Sequence, residues 1–151
     1  YLLREIPTHG DGDFTYERFE QLYNADLANG LGNLVARIAK LCELKNVIIS
    51  NISPHTPFTS EQGGFHEHLK NFEFNLALEE VWRDIKKLDV DINQDKPWQS
   101  NDTGVIQNYV RQLNQIAYAL QPFLPQTAEK ILEQFKGPTI QSQPPLFPRL
   151  Q

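Results

Sequence analysis

Residues 74–92 read Phe74-Asn75-Leu76-Ala77-Leu78-Glu79-Glu80-Val81-Trp82-Arg83-Asp84-Ile85-Lys86-Lys87-Leu88-Asp89-Val90-Asp91-Ile92. The apolar positions Phe74, Leu78, Val81, Ile85, Leu88 and Ile92 recur at alternating steps of four and three. That spacing follows the α-helical turn and lays one apolar stripe along about five turns. Asn93-Gln94-Asp95-Lys96-Pro97 ends the helix, because the residue before a proline disfavours the α region. Trp98 lies just past that stop.

The same rhythm recurs on both sides. Upstream, Leu27, Leu31, Leu34, Ile38 and Leu41 form a second stripe. Thr15 is the N-cap candidate for the helix leading into it, with Glu17 and Glu20 near its start. Gly30 and Gly32 interrupt this stripe, weakening the helix and allowing a neighbouring backbone to approach closely. Downstream, Ile106, Val110, Leu113, Ala117 and Leu120 form a third stripe, with Asp102 or Thr103 as cap and Pro122 as breaker. Pro125 suits the first turn of another helix carrying Ala128, Ile131, Leu132 and Phe135, with Gly137 as its C-cap. Between the first two stripes, Asn46-Val47-Ile48-Ile49-Ser50 is β-prone. Pro54, Pro57, Gly63 and Gly64 make 46–64 a loop with at most one short extended piece. A short helix is expected from about Phe65 to Asn71.

Helical stripes without a persuasive strand pair predict an all-α, antiparallel bundle of four to five helices. The chain divides into a turn-rich connector at 1–13, a helical domain at 14–137 and a proline-rich tail at 138–151. The tail is extended and pinned to the core by Leu146 and Phe147. No internal repeat or low-complexity tract is present.

Composition narrows the function. Of 151 residues, 14 are basic and 19 acidic, so 14 − 19 gives a net charge of −5. Apolar residues are 40 %, which excludes a disordered chain and suits one domain with a real core. No apolar run approaches the ~20 residues of a membrane span. Cys42 is the lone cysteine, so the chain holds neither an internal disulfide nor a thiolate cluster, and it fits a reducing, cytoplasmic setting. The acidic balance argues against a nucleic-acid role carried by phosphate contacts. Such a role has to rest on a local site of stacking and base-edge hydrogen bonds. Residue 1 is Tyr and Met is absent, and the chain reads as a piece of a longer protein.

No catalytic constellation emerges. Gly10, Gly12, Gly63 and Gly64 lack the Lys and strand context of a phosphate loop. His66 and His68 point to different faces of a helix and make no metal pair, and His9 and His55 sit alone in loops. Cys42 is a small core residue rather than a nucleophile. Asp89, Asp91 and Asp95 lack calcium-loop spacing and read as a solvated helix end.

The informative group is Asn33, Arg37 and Trp98. With Leu34 at the centre of its stripe, Arg37 lies about 60° and Asn33 about 100° off that axis, on the same side, and Lys40 continues the flank. Asn33 and Arg37 sit one turn apart. An amide and a guanidinium on the shoulder of a core stripe carry the donors and acceptors that read base edges. An indole in a post-helix turn is a stacking platform for an unpaired base. A surface Asn/Arg pair and a core-lid Trp are the bland alternative.

These residues lie within a longer resemblance. Tyr1-Leu2-Leu3-Arg4-Glu5-Ile6-Pro7 and Gly10-Asp11-Gly12-Asp13-Phe14 resemble the stretch after the catalytic domain of methionyl-tRNA synthetases. Tyr23-Asn24-Ala25-Asp26-Leu27-Ala28-Asn29 and Leu31-Gly32-Asn33-Leu34-Val35-Ala36-Arg37 resemble the first helix pair of that family's anticodon-binding domain. Phe74-Asn75-Leu76-Ala77-Leu78, Lys96-Pro97-Trp98, Gln121-Pro122-Phe123-Leu124-Pro125-Gln126-Thr127-Ala128-Glu129-Lys130-Ile131 and Pro145-Leu146-Phe147-Pro148-Arg149 continue in the same order. Related class I synthetases (leucyl, valyl, isoleucyl, cysteinyl) share some of these elements, and the ordered set points to the methionyl family. The resemblance implies a helical domain that recognises the CAU anticodon of methionine tRNA. In it, Asn33 and Arg37 hydrogen-bond the bases and Trp98 stacks on the first of them. It also implies an upstream catalytic domain that uses ATP to charge the tRNA. The His-Ile-Gly-His-type and Lys-Met-Ser-Lys-Ser-type motifs of that domain are absent here, so this stretch alone activates no amino acid. Asp89 and Asp91 stand where the family usually has an Asn and a Tyr, and a carboxylate beside the groove repels phosphate. The segment 46–70 also departs from the family. A helical protein-interaction module is the rival from another class; it predicts a broad exposed apolar patch.

Overall fold

The computed structural model describes residues 1–6, 11–49 and 64–150. His9 and His55, the glycines Gly10 and Gly63, and most of the loop expected at 46–64 lie outside the described residues. Helix α1 (Leu2–Glu5) is one turn. Helix α2 (Tyr16–Leu22) passes into a π-helical stretch (Tyr23–Gly32), which continues as α3 (Asn33–Leu44). These three segments form one unbroken helical rod. Then come α4 (Phe65–Lys70), α5 (Phe74–Asp95), a single 3₁₀ turn (Pro97–Gln99), α6 (Thr103–Leu120) and α7 (Pro125–Gln134). The all-α bundle is as expected: the rod, α5, α6 and α7 are its main members. Among the described residues the extended pairing is limited to one isolated bridge, Ile48 to Thr139.

Each stripe is buried as its spacing requires. Leu31, Leu34, Ile38 and Leu41 of the rod are buried, as are Leu78, Val81, Ile85, Leu88 and Ile92 of α5 and all five stripe residues of α6. Helix α6 packs against α3, α5 and α7 and is the centre of the bundle. The caps are also as read. The Thr15 hydroxyl accepts from the Arg18 N–H at 3.1 Å, and the Asp102 carboxylate accepts from the Gly104 N–H at 2.8 Å. Lys96 leaves α5 in the left-handed region (φ 46°), and Pro97 is buried behind it.

Two glycine expectations are corrected. Gly32 admits no neighbouring helix; a Cβ there would meet the Leu27 carbonyl oxygen of its own rod at 3.0 Å and the Phe147 ring of the tail at 3.5 Å. The wide π turn and the returning tail use that space. Gly137 does not cap α7, which ends at Gln134 with Phe135 as its cap. It sits two residues on at φ +85°, where a Cβ would lie 2.7 Å from the Ile49 carbonyl oxygen. Gly137→Ala is therefore expected to destabilise the bundle by ~1–3 kcal/mol, read as a lower denaturant midpoint, because left-handed backbone and a hard contact coincide.

The tail makes several contacts with the rod. Phe147 packs edge-on against Tyr23 at 6.1 Å, and Leu146 is partly buried. Asn24 exchanges two hydrogen bonds with the Leu150 backbone, at 3.1 and 3.0 Å, and Arg149 donates to Asn29 at 2.8 Å. Cys42 is buried, as read, and burial pushes its thiol up to about 12. Because the folded value is raised, its contribution to stability is complete below about pH 8.5, the ordinary thiol value, and is lost as pH rises toward 12. Thiol reagents at pH 8 are expected to label Cys42 only after denaturant unfolds the chain.

Candidate nucleic-acid interface

Three chain segments meet beside the C-terminal end of α5. From α3, Arg37 reaches across to α5, where its guanidinium donates through Nη1 to Asp89 Oδ1 at 2.8 Å and through Nη2 to Asn93 Oδ1 at 2.6 Å. Asn93 in turn donates to the Asp89 carbonyl oxygen at 2.8 Å and to Asp89 Oδ2 at 3.3 Å. The spacing of four puts Asp89 and Asn93 one turn apart on the same face of α5, which makes this closed set possible. The third segment is the turn after Pro97. It carries Trp98, and Arg37 Cζ lies 5.6 Å from the centre of that indole, a cation–π contact. Trp98 stays 45 % exposed, so it is not a core lid.

The turn itself is held. Gln99 N–H and Ser100 N–H bond back to Lys96 and Pro97, and Lys45 at the end of α3 donates to the Ser100 carbonyl oxygen at 2.8 Å. Beneath the site, Tyr109 of α6 is buried and its hydroxyl donates to Asp95 Oδ2 at 2.6 Å. Burial, then the Asp95 hydrogen bond and charge, raise the Tyr109 phenol above its ordinary value, so it stays a neutral donor fixing the end of α5.

The structure thus brings Arg37 and Trp98 together. Asn33 is one turn earlier, the first residue of α3, and is exposed. It lines a 260 Å³ groove with Phe147 and Pro148 of the tail, and among the described residues no hydrogen bond joins it to Arg37 or Trp98. Lys40, one turn further along α3, pairs with Glu43 at 2.9 Å. The expectation that Asp89 stands as a repelling carboxylate is corrected, since Arg37 answers its charge directly. Asp91 and Asp95 are likewise engaged, with Lys87 at 3.2 Å and with Tyr109. The roles of Asp89, Asn93 and Lys45 escaped the sequence reading. The 89/93 spacing one turn before Pro-Trp was their one visible signal, and Lys45 had none.

The Arg37–Asp89 pair is partly exposed, so it adds little stability. Its consequence is orientation. A guanidinium has five N–H donors, and this clamp engages two of its nitrogens while leaving other N–H bonds at the rim. The charge of the clamp is balanced, which suits base edges better than phosphates. Among the described residues no group of three or more His, Cys, Asp or Glu could hold a metal, and no helix is long and apolar enough to cross a membrane.

A family model described as "tRNA synthetases class I (M)" matches residues 1–39, so the class to which the chain is similar is the class I tRNA synthetases. The particular likeness is to methionine–tRNA ligases. The enzyme of Enterococcus faecalis is 36 % identical over 154 residues, covering 89 % of this chain and 23 % of that protein. The Bacillus subtilis enzyme is 30 % identical, covering 100 % of this chain and 28 % of that protein. A crystal structure of apo Mycobacterium tuberculosis methionyl-tRNA synthetase shares the fold, with a TM-score of 0.77 at 22 % identity over 99 % of this chain and 38 % of that one. The chain resembles the C-terminal domain of a methionine–tRNA ligase, and it spans about a quarter of the length of the curated relatives it matches.

Proposed function

We propose that this domain recognises the CAU anticodon of methionine tRNA within a longer, cytoplasmic, ATP-dependent ligase that charges that tRNA. The observation that carries the proposal is the clamped Arg37 guanidinium beside the half-exposed Trp98 ring. A flat aromatic face and a planar fork of donors, fixed edge by edge, are what an unstacked base needs for stacking and for hydrogen bonding at its rim. A base between the two would separate them by ~6.8 Å, twice the ~3.4 Å rise of stacked bases. At 5.6 Å there is no such room, so the base takes the open indole face and the guanidinium reads its edge. Asn33, one turn along, supplies an amide to the next edge. The net charge of −5 fits this division, with phosphate contacts made by the remainder of the ligase. Asn33, Arg37 and Trp98 act in recognition, and this chain, without the nucleotide-site motifs, has no activation chemistry of its own.

The test is Trp98→Ala in the full-length ligase. Losing one stacking platform is expected to weaken tRNA charging by ~1–3 kcal/mol, while methionine-dependent pyrophosphate exchange, which needs no tRNA, stays at the wild-type rate. An equal fall in both assays would refute the assignment of Trp98.

A further inference from the structure

The turn that presents Trp98 is held in a conformation its own sequence resists. Lys96 sits at φ 46° and ψ 56°, in the left-handed region, immediately before Pro97. A residue with a Cβ is strained there, and the ring of a following proline crowds the residue before it. Such a conformation persists only where the surroundings hold it. The turn's own backbone bonds are a weak hold. Gln99 N–H reaches the Lys96 carbonyl oxygen at 2.9 Å, but Lys96 N–H to Ile92 and Ser100 N–H to Pro97 are stretched to 3.3 Å. Two shorter bonds come from other helices, one on each side of Trp98. Before it, buried Tyr109 of α6 donates its hydroxyl to Asp95 Oδ2 at 2.6 Å. After it, Lys45, the cap of α3, donates through Nζ to the Ser100 carbonyl oxygen at 2.8 Å. Lys45 lies eight residues past Arg37, about 12 Å along the helix. One element therefore carries both the guanidinium and the tether that sets where the indole stands beside it.

We propose that Tyr109 and Lys45 are positioning residues of tRNA recognition: they hold the Pro97–Trp98 turn in its strained form, so that the indole offers an open face beside the Arg37 guanidinium. The inference rests on the reading of Trp98 as a stacking platform. Tyr109 is buried and touches no nucleotide, so its contribution runs through Asp95, two residues before Pro97. Lys45 acts through Ser100, two residues after Trp98. Without these tethers Lys96 returns to the extended region that a residue before proline prefers. That change of two backbone angles swings the indole away from Arg37. With them, a base meets a platform already in place, and binding has less side-chain and loop ordering to offset.

The experiment uses the full-length ligase with Tyr109→Phe, Lys45→Ala and Lys45→Arg, the first two also combined with Trp98→Ala. Tyr109→Phe keeps the buried ring and removes only the hydroxyl. Two quantities are read: kcat/KM for tRNA charging, and the rate of hydroxyl-radical labelling of Trp98 without tRNA. Tyr109→Phe and Lys45→Ala are each expected to lower kcat/KM ~3- to 10-fold, the worth of one hydrogen bond. Both are expected to raise Trp98 labelling, because Arg37 no longer covers one face of the ring. In the Trp98→Ala background the same substitutions are expected to cost less than ~2-fold, since no platform is left to place. Lys45→Arg keeps a donor for the Ser100 carbonyl oxygen and is expected to restore both quantities. Lys96→Gly adopts the left-handed turn without strain, and is expected to bring Trp98 labelling in Tyr109→Phe back toward the wild-type rate. Equal Trp98 labelling in the wild type, Tyr109→Phe and Lys45→Ala overturns the proposal. So does a loss that persists in full in the Trp98→Ala background, which assigns Lys45 to a phosphate contact and Tyr109 to general stability. Normal charging by Trp98→Ala alone would defeat the anticodon reading, and the labelling then decides the tethers by itself.

Discussion

Arg37→Ala is expected to lower tRNA charging by the full-length ligase by ~2–4 kcal/mol, about 30- to 1000-fold, with amino-acid activation unchanged. A good bidentate contact to a base edge is worth ~1–3 kcal/mol of discrimination, and the lost cation–π contact with Trp98 adds ~0.5–1 kcal/mol. The indole also loses the plane that fixes it, so the stacking face is less well presented. Arg37→Lys is not expected to rescue. An ammonium is a point charge, and it cannot engage Asp89 and Asn93 at 2.8 and 2.6 Å while offering a further flat edge to a base. The loss is expected in kcat/KM for tRNA and not in the affinity for methionine.

Phe135→Ala is expected to have the largest effect on the bundle itself. Its ring is fully buried, just past the end of α7 and packed into the single core that all main helices share. Removing a buried phenyl costs ~3–5 kcal/mol through lost transfer energy and the cavity left behind. Small domains have a stability of only ~5–15 kcal/mol, so the denaturant midpoint of this chain is expected to fall by about a fifth or more with little change in the slope. Wild-type-like unfolding of this variant would mean that α7 and the tail are not part of one core.

The two variants divide the account into a site that is nearly independent of stability and a core that is nearly independent of recognition. The core was the more legible of the two in the sequence. Alternating steps of three and four located the rod, α5 and α6, and single residues set their limits: Thr15, Asp102 and Pro97 act where their chemistry required. The π stretch at Tyr23–Gly32 was not legible, because its apolar spacing resembles that of an α-helix and the wider turn depends on what fills it. Gly137 was misread for a related reason. A glycine just after a helix suggests a cap, but the constraint on it comes from Ile49, nearly ninety residues away in the chain.

At the site, the stripe geometry singled out Asn33 and Arg37 as sharing a shoulder of α3, and the Pro-Trp step flagged Trp98. What holds Arg37 was invisible. Asp89 and Asn93 became partners only when α5 lay beside α3, and local sequence carries no record of that pairing. Reading Asp89 as an isolated charge made it an obstacle; in its place it is the counter-charge that aims the guanidinium.

The most direct test of the central claim is a coupling measurement. Charging of methionine tRNA and of a variant with one anticodon base replaced is compared, as kcat/KM, in the wild-type ligase and in Arg37→Ala. If Arg37 reads that base, the two losses share one interaction and are strongly non-additive: the base change costs the wild type at least ~10-fold and the variant only ~1- to 3-fold. If the base change costs both proteins the same factor, Arg37 does not contact the anticodon and the account is wrong.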